Sequence, residues 1–103
     1  MVDNVVHKYE LGHPMPNQPF STLLPDSAEI IHVDLQYGVV TLWALIDSTD
    51  LASHSVDFVC AATEQAIPQP MFGKQWKHLK TLLDQGGISI WHIFMQVEET
   101  QDA

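Results

Sequence analysis

The sequence predicts a small, mostly β domain, and three observations carry that reading. Residues 28–46 alternate apolar and polar at period two on both sides of Tyr37-Gly38, the pattern of a hairpin with one buried face. Val56, Phe58, Cys60 and Ala62 repeat the alternation further on. Residues 88–95, Ile-Ser-Ile-Trp-His-Ile-Phe-Met, are short, β-branched and apolar on both faces, which reads as a central strand covered on both sides. The 103 residues fit a single domain spanning 1–103. A domain of this size buries roughly two-thirds of its unfolded surface, enough for a core without staples.

The elements follow in order. Residues 5–11 alternate loosely and suit a first strand. Residues 12–19 hold three prolines and a glycine and read as a loop. The apolar run 20–24 is stopped by Pro25-Asp26. In the hairpin, a two-residue Tyr37-Gly38 loop pairs Leu35 with Val40 and Val33 with Leu42, and sets Ile31 opposite Ala44. The opposite face carries His32, Asp34, Thr41 and Trp43, with His32 across from Trp43. Such a mixed face suits partial exposure or a contact surface. Residues 47–53 are polar and turn-like, and 65–73, with Pro68 and Pro70, read as a loop. Residues 74–84 are ambiguous: Trp76, Leu79, Leu82 and Leu83 have helical spacing, yet Leu79, Thr81 and Leu83 alternate. Composition tips that segment toward a helix closed by Gly86-Gly87. Residues 98–103 are expected to form a disordered acidic tail.

Some stretches also match a known pattern in order along nearly the whole chain. They are Lys8-Tyr9-Glu10-Leu11, Leu24-Pro25, Ala28-Glu29-Ile30-Ile31-His32-Val33, Gln36, Leu42-Trp43-Ala44-Leu45-Ile46-Asp47, Phe58, Thr63, Ile67-Pro68, Thr81, Gly86-Gly87 and Trp91-His92-Ile93-Phe94. On these the chain resembles a family of small uncharacterised proteins, a domain of unknown function found mainly in phages and prophages. The resemblance implies an all-β fold with a strand at 78–83, reversing the helix, and a hairpin turning at 84–87. It implies a phage or prophage origin but no chemistry. Relatives carry a Gly-Thr-Gly-His-Pro turn where this chain has Ala62-Thr63-Glu64-Gln65-Ala66, which puts in doubt here any ligand role for that turn's amides. The expected fold is an all-β antiparallel sandwich or partly open barrel of about six or seven strands, with an α+β arrangement, one helix near 74–84, as the alternative.

Charge sets limits on partners. Thirteen acidic residues face four lysines and no arginine, and Lys74, Lys77 and Lys80 sit together. Nucleic-acid binders need basic surface to displace counterions, so no nucleic acid and no anionic membrane surface is expected as a partner. A basic protein surface is the partner of complementary sign. The apolar runs fall far short of the roughly 20 residues that span a bilayer, and no signal peptide is expected. A single cysteine, Cys60, forms no internal disulfide and reads as a buried small hydrophobe in a cytoplasmic, reducing setting, the host cell.

Candidate chemistry is sparse. His32-x-Asp34 with His92 is the nearest approach to a metal set, yet no ligand pair stands at a known spacing. No Gly-x-Ser-x-Gly elbow and no phosphate loop occurs. No catalytic residue, cofactor or metal is therefore assigned. Trp91 reads as core. The possible interaction surface is His32, Asp34, Thr41, Trp43 and Trp76, since exposed aromatics beside polar residues mark interfaces. The leading expectation is a non-enzymatic phage-derived protein that binds a host or phage protein, including counter-defence by nucleic-acid mimicry. The alternatives are a small-molecule binding or sequestering protein with an intersubunit pocket, and a structural virion or assembly protein. A homo-oligomer is expected from the mixed hairpin face and the edge strands. The charge of −9 predicts no binding to duplex or single-stranded DNA at physiological salt; a salt-sensitive gel shift at micromolar protein is the contrary result.

Overall fold

The hairpin at the middle of the chain organises the structure, a computed structural model that describes residues 3–84 and 89–99. Its strands are β3 (Glu29–Gln36) and β4 (Val39–Asp47). Tyr37 and Gly38 close it with φ of 52° and 77°, the two positive values that a type I′ turn requires. That turn fixes Leu35 opposite Val40 and Val33 opposite Leu42, with His32 across from Trp43. Beyond His32 the expected register fails. A β-bulge at Ile31 sets Ile30, not Ile31, opposite Ala44. The extra residue keeps Ile30 against the core and leaves Ile31 52% exposed, a common device on an edge strand.

The remaining strands are β1 (Asn4–Gly12), β2 (Phe20–Pro25), β5 (Ser53–Ala62), β6 (Lys74–Asp84) and β7 (Ser89–Glu98). They build a three-stranded sheet in the order β1-β4-β3 and a four-stranded sheet in the order β2-β5-β7-β6. All pairings within the sheets are antiparallel. The sheets do not close into a barrel, so the fold is an all-β sandwich. There is no helix among the described residues, and none that is long and apolar enough to cross a membrane.

Residues 74–84 are strand β6, not the helix their composition suggests. The alternation Leu79, Thr81, Leu83 is broken by a bulge at Leu79, between His78 and Lys80. That extra residue produces the three-residue spacings that mimic a helix. The pairing of β6 with β7 runs from Lys74↔Glu98 to Asp84↔Ser89, so the two form a hairpin. The turn expected at 84–87 lies, beyond Asp84 at the end of β6, outside the described residues. The expected tail at 98–103 begins too early: Glu98 closes β7, and the Glu99 amide donates to the Gly73 carbonyl at 2.9 Å. Residues 100–103 lie outside the described residues.

Leu42, Ala44, Val33, Phe58, Cys60, Leu82 and Ile93 meet between the sheets, and Trp91 packs against them. β5 and β6 both run antiparallel to β7, hence parallel to each other. Their connection must therefore run back along the whole sheet. Residues 63–73 do so across the outer face. Trp76 Nε1 donates to the Pro68 carbonyl at 2.7 Å, and the Met71 amide donates to Gln96 Oε1 at 2.8 Å. Val59 and Ala61, which point away from the core on the same outer face, are buried as well.

A non-glycine residue in the left-handed region is strained by about 1 kcal/mol, and asparagine tolerates it best. Tyr37 is 97% exposed, so its replacement isolates the backbone effect. Tyr37→Asn is expected to stabilise the protein by about 1 kcal/mol and the β-branched Tyr37→Val to destabilise it, as read from urea unfolding midpoints.

Candidate functional site

The outer face of the three-stranded sheet holds most of the residues singled out in the sequence. His32 and Trp43 lie side by side, ring centroids 5.4 Å apart, and His32 Nε2 is 3.5 Å from Asp34 Oδ2. Thr41 belongs to the same face but is not available for contact: its exposure is 0%. The reason is a strap across β4. Lys8 on β1 donates from Nζ to Gln36 Oε1 on β3 at 3.1 Å, so the two side chains meet over the strand between them. Glu10 and Asp34 flank Thr41 from either side. Much of the mixed hairpin face is thus covered by its own long side chains.

Trp76 stands apart from this group, on the outer face of the other sheet, where its indole is tied to Pro68. The same face carries a polar row that sequence reading did not connect. His92 Nε2 and Nδ1 lie 2.9 Å from the hydroxyls of Thr63 and Thr81 respectively, and the Thr81 hydroxyl is 3.0 Å from His78 Nε2. Both ring nitrogens of His92 are therefore engaged. Among the described residues no three His, Cys, Asp or Glu side chains converge as metal ligands do.

An opening lies between the sheets at one end of the sandwich, a cleft of about 970 Å³. Its far wall is the inner face of the four-stranded sheet where β2 and β7 end and β5 and β6 begin; β3 forms the near wall. Leu24, Val33, Val56, Leu79 and Met95 supply an apolar lining. Lys74, Lys77 and Lys80 line it as well, which gathers three of the four lysines in the chain at one opening. Lys77 pairs across the strands with Met95 and Lys80 with Ile93. Since Met95 and Ile93 pack in the core, both lysines sit on the inner face.

The charges around the cleft divide into engaged and free. Lys74 is bonded to Glu98, and His54 Nδ1 lies 2.7 Å from Asp26 Oδ1. Asp57 accepts from the Ser21 hydroxyl and from Gln96 Nε2. Glu29 also lines the cleft and has no ion-pair partner among the described residues. Lys77 and Lys80 have no ion-pair partner among the described residues.

The sequence signal for this cleft was the lysine cluster, read there only as charge. Its placement depended on the strand assignment of residues 74–84 and on the Leu79 bulge, which brings positions 77 and 80 to one face.

Cys60 is fully buried, and desolvation raises its thiol to about 11. A raised thiol is neutral, and so poorly nucleophilic, through physiological pH. Cys60 is expected to react with a disulfide reagent at pH 8 only at the rate of unfolding; fast stoichiometric labelling of the folded protein is the contrary result.

A family model described as a domain of unknown function, DUF7352, matches residues 2–103. No curated protein and no solved structure matches the chain.

Proposed function

We propose a function for this chain, which belongs to the DUF7352 family over residues 2–103: a non-enzymatic binding protein that holds a small ligand in the cleft between its sheets. The observation that carries this reading is the cleft itself. Its volume of about 970 Å³ sits at the upper end of the roughly 300–1,000 Å³ usual for ligand sites. Apolar and polar residues line it in equal number, so it offers both an apolar surface and groups that can orient a ligand. The opening belongs to a single chain, so binding in it needs no second subunit.

Other features support binding over catalysis. His54 and Ser55 both border the cleft, but as neighbours on a strand they point to opposite faces, and His54 is committed to Asp26. The resemblance carried by Leu42-Trp43-Ala44-Leu45-Ile46-Asp47 and Trp91-His92-Ile93-Phe94 supports a phage or prophage origin. In that setting, sequestration of a small molecule in the host cytoplasm is the role that fits.

The charge distribution favours a second reading. With three lysines drawn to the cleft, Lys8 is the one lysine left against ten of the thirteen acids. Such an exterior suits a basic protein partner and is compatible with occupation of its nucleic-acid site. Under that reading duplex DNA displaces this chain from its partner, and a complex indifferent to DNA counts against mimicry.

The cleft reading is tested by nuclear magnetic resonance with a fragment library. Binders are expected to shift the methyl signals of Val56, Leu79 and Met95 together. Shifts confined to the outer faces, at Trp43 or His92, overturn it.

A further inference from the structure

We propose that the cleft is a site for amphipathic anions, molecules with an apolar body and a single acidic head group held by Lys77 and Lys80. The inference rests on the cleft being a ligand site and names the class of ligand it takes.

The argument starts from the position of the two lysines. The inner face of a sandwich strand is where apolar side chains belong, and the neighbours of Lys77 and Lys80 across β7 are Met95 and Ile93. Each lysine therefore springs from the inner face beside apolar neighbours, Lys77 exposed at the mouth and Lys80 half-buried. Of the acidic groups that line the cleft, Glu98 is bonded to Lys74 and Asp57 to Ser21 and Gln96, and Glu29 forms no ion pair with either lysine. Two cations without partners thus border an apolar cavity in a chain of net charge −9. Intramolecular neutralisation was available from thirteen acidic residues and did not occur there.

The same features restrict the ligand. Two free lysines with no arginine anywhere in the chain suit one carboxylate or one phosphate monoester. They do not match a polyphosphate, whose several charges need more cations and bidentate donors. A purely polar anion leaves the apolar lining wet, and a purely apolar ligand leaves the lysines without a partner. A ligand joining both features satisfies the whole cleft.

Inward charges on an edge strand also protect it from pairing with other chains, and the experiment must separate that role. Calorimetric titration of the full chain compares decanoate, decyl phosphate, decanol and decyltrimethylammonium. One or both anions are expected to bind at least tenfold more tightly than decanol, the cation not at all, and the preferred anion identifies the head group. Lys77→Gln and Lys80→Gln are each expected to weaken the preferred anion about tenfold, the loss of one charge-assisted contact. Lys77→Arg is expected to retain it. Equal affinity for decanol and both anions overturns the anion claim and leaves the cleft reading standing, provided the shifts still map to Leu79 and Met95. Variants that aggregate while binding the anions unchanged assign the lysines to edge protection and also overturn the claim. Absence of binding by every probe, with no fragment shifts at Val56, sinks both.

Discussion

Three strands cannot cover four. Neighbouring strands lie about 4.8 Å apart, so a sandwich built from a three-stranded and a four-stranded sheet leaves one strand's width of inner face without a lid. The opening lies at one end of the sandwich, where β3 and the ends of all four strands of the larger sheet line the cleft. On β6 the half toward Asp84 is covered, with Leu82 in the core, and the half toward Lys74 borders the opening. Sequence follows geometry: the covered half buries leucine and the uncovered half carries lysines. The cationic side of the cleft is thus written by the residues of one half-strand.

Bulges adjust the two edges that face each other across this opening. β3 bulges at Ile31 and β6 at Leu79. Each inserts one residue and changes which side chains turn inward beyond it. On β6 the result is that Leu79 and Lys80 both line the cleft. A regular strand alternates, and would not put positions 77 and 80 on one face. The local irregularity therefore sets the composition of the site.

This is also where legibility in the sequence ended. The β3–β4 hairpin could be read to the residue from Tyr37-Gly38 outward, because a two-residue turn fixes register. It failed only past His32, where the bulge begins. Residues 74–84 resisted because the bulge sets Leu79 three residues before Leu82 on the core side, an interval a helix also uses, while Trp76 and Leu83, which completed the helical pattern, lie on the other face. The outer-face burial of Val59 and Ala61 was invisible because local alternation marks which face a residue takes, not what lies over that face. The burial of Thr41 depends likewise on Lys8 and Gln36, 28 positions apart, meeting over the strand between them. The lysine cluster was plain in the sequence, but a row of charges does not announce the cavity it borders.

The order of strands in the larger sheet has a temporal meaning. β7 lies between β5 and β6 yet follows both in the chain. During synthesis β6 leaves the ribosome with no partner, and β5 has only β2 beside it. The four-stranded sheet stays in two separate pieces until residues 89–98 emerge and slot between them. For that interval β6 is a solitary ribbon, and three lysines spread along it are a means of keeping such a ribbon dissolved until its neighbour arrives. Assembly of this domain is thus gated by its last strand, and the charges that border the finished cleft are in place before the cleft exists.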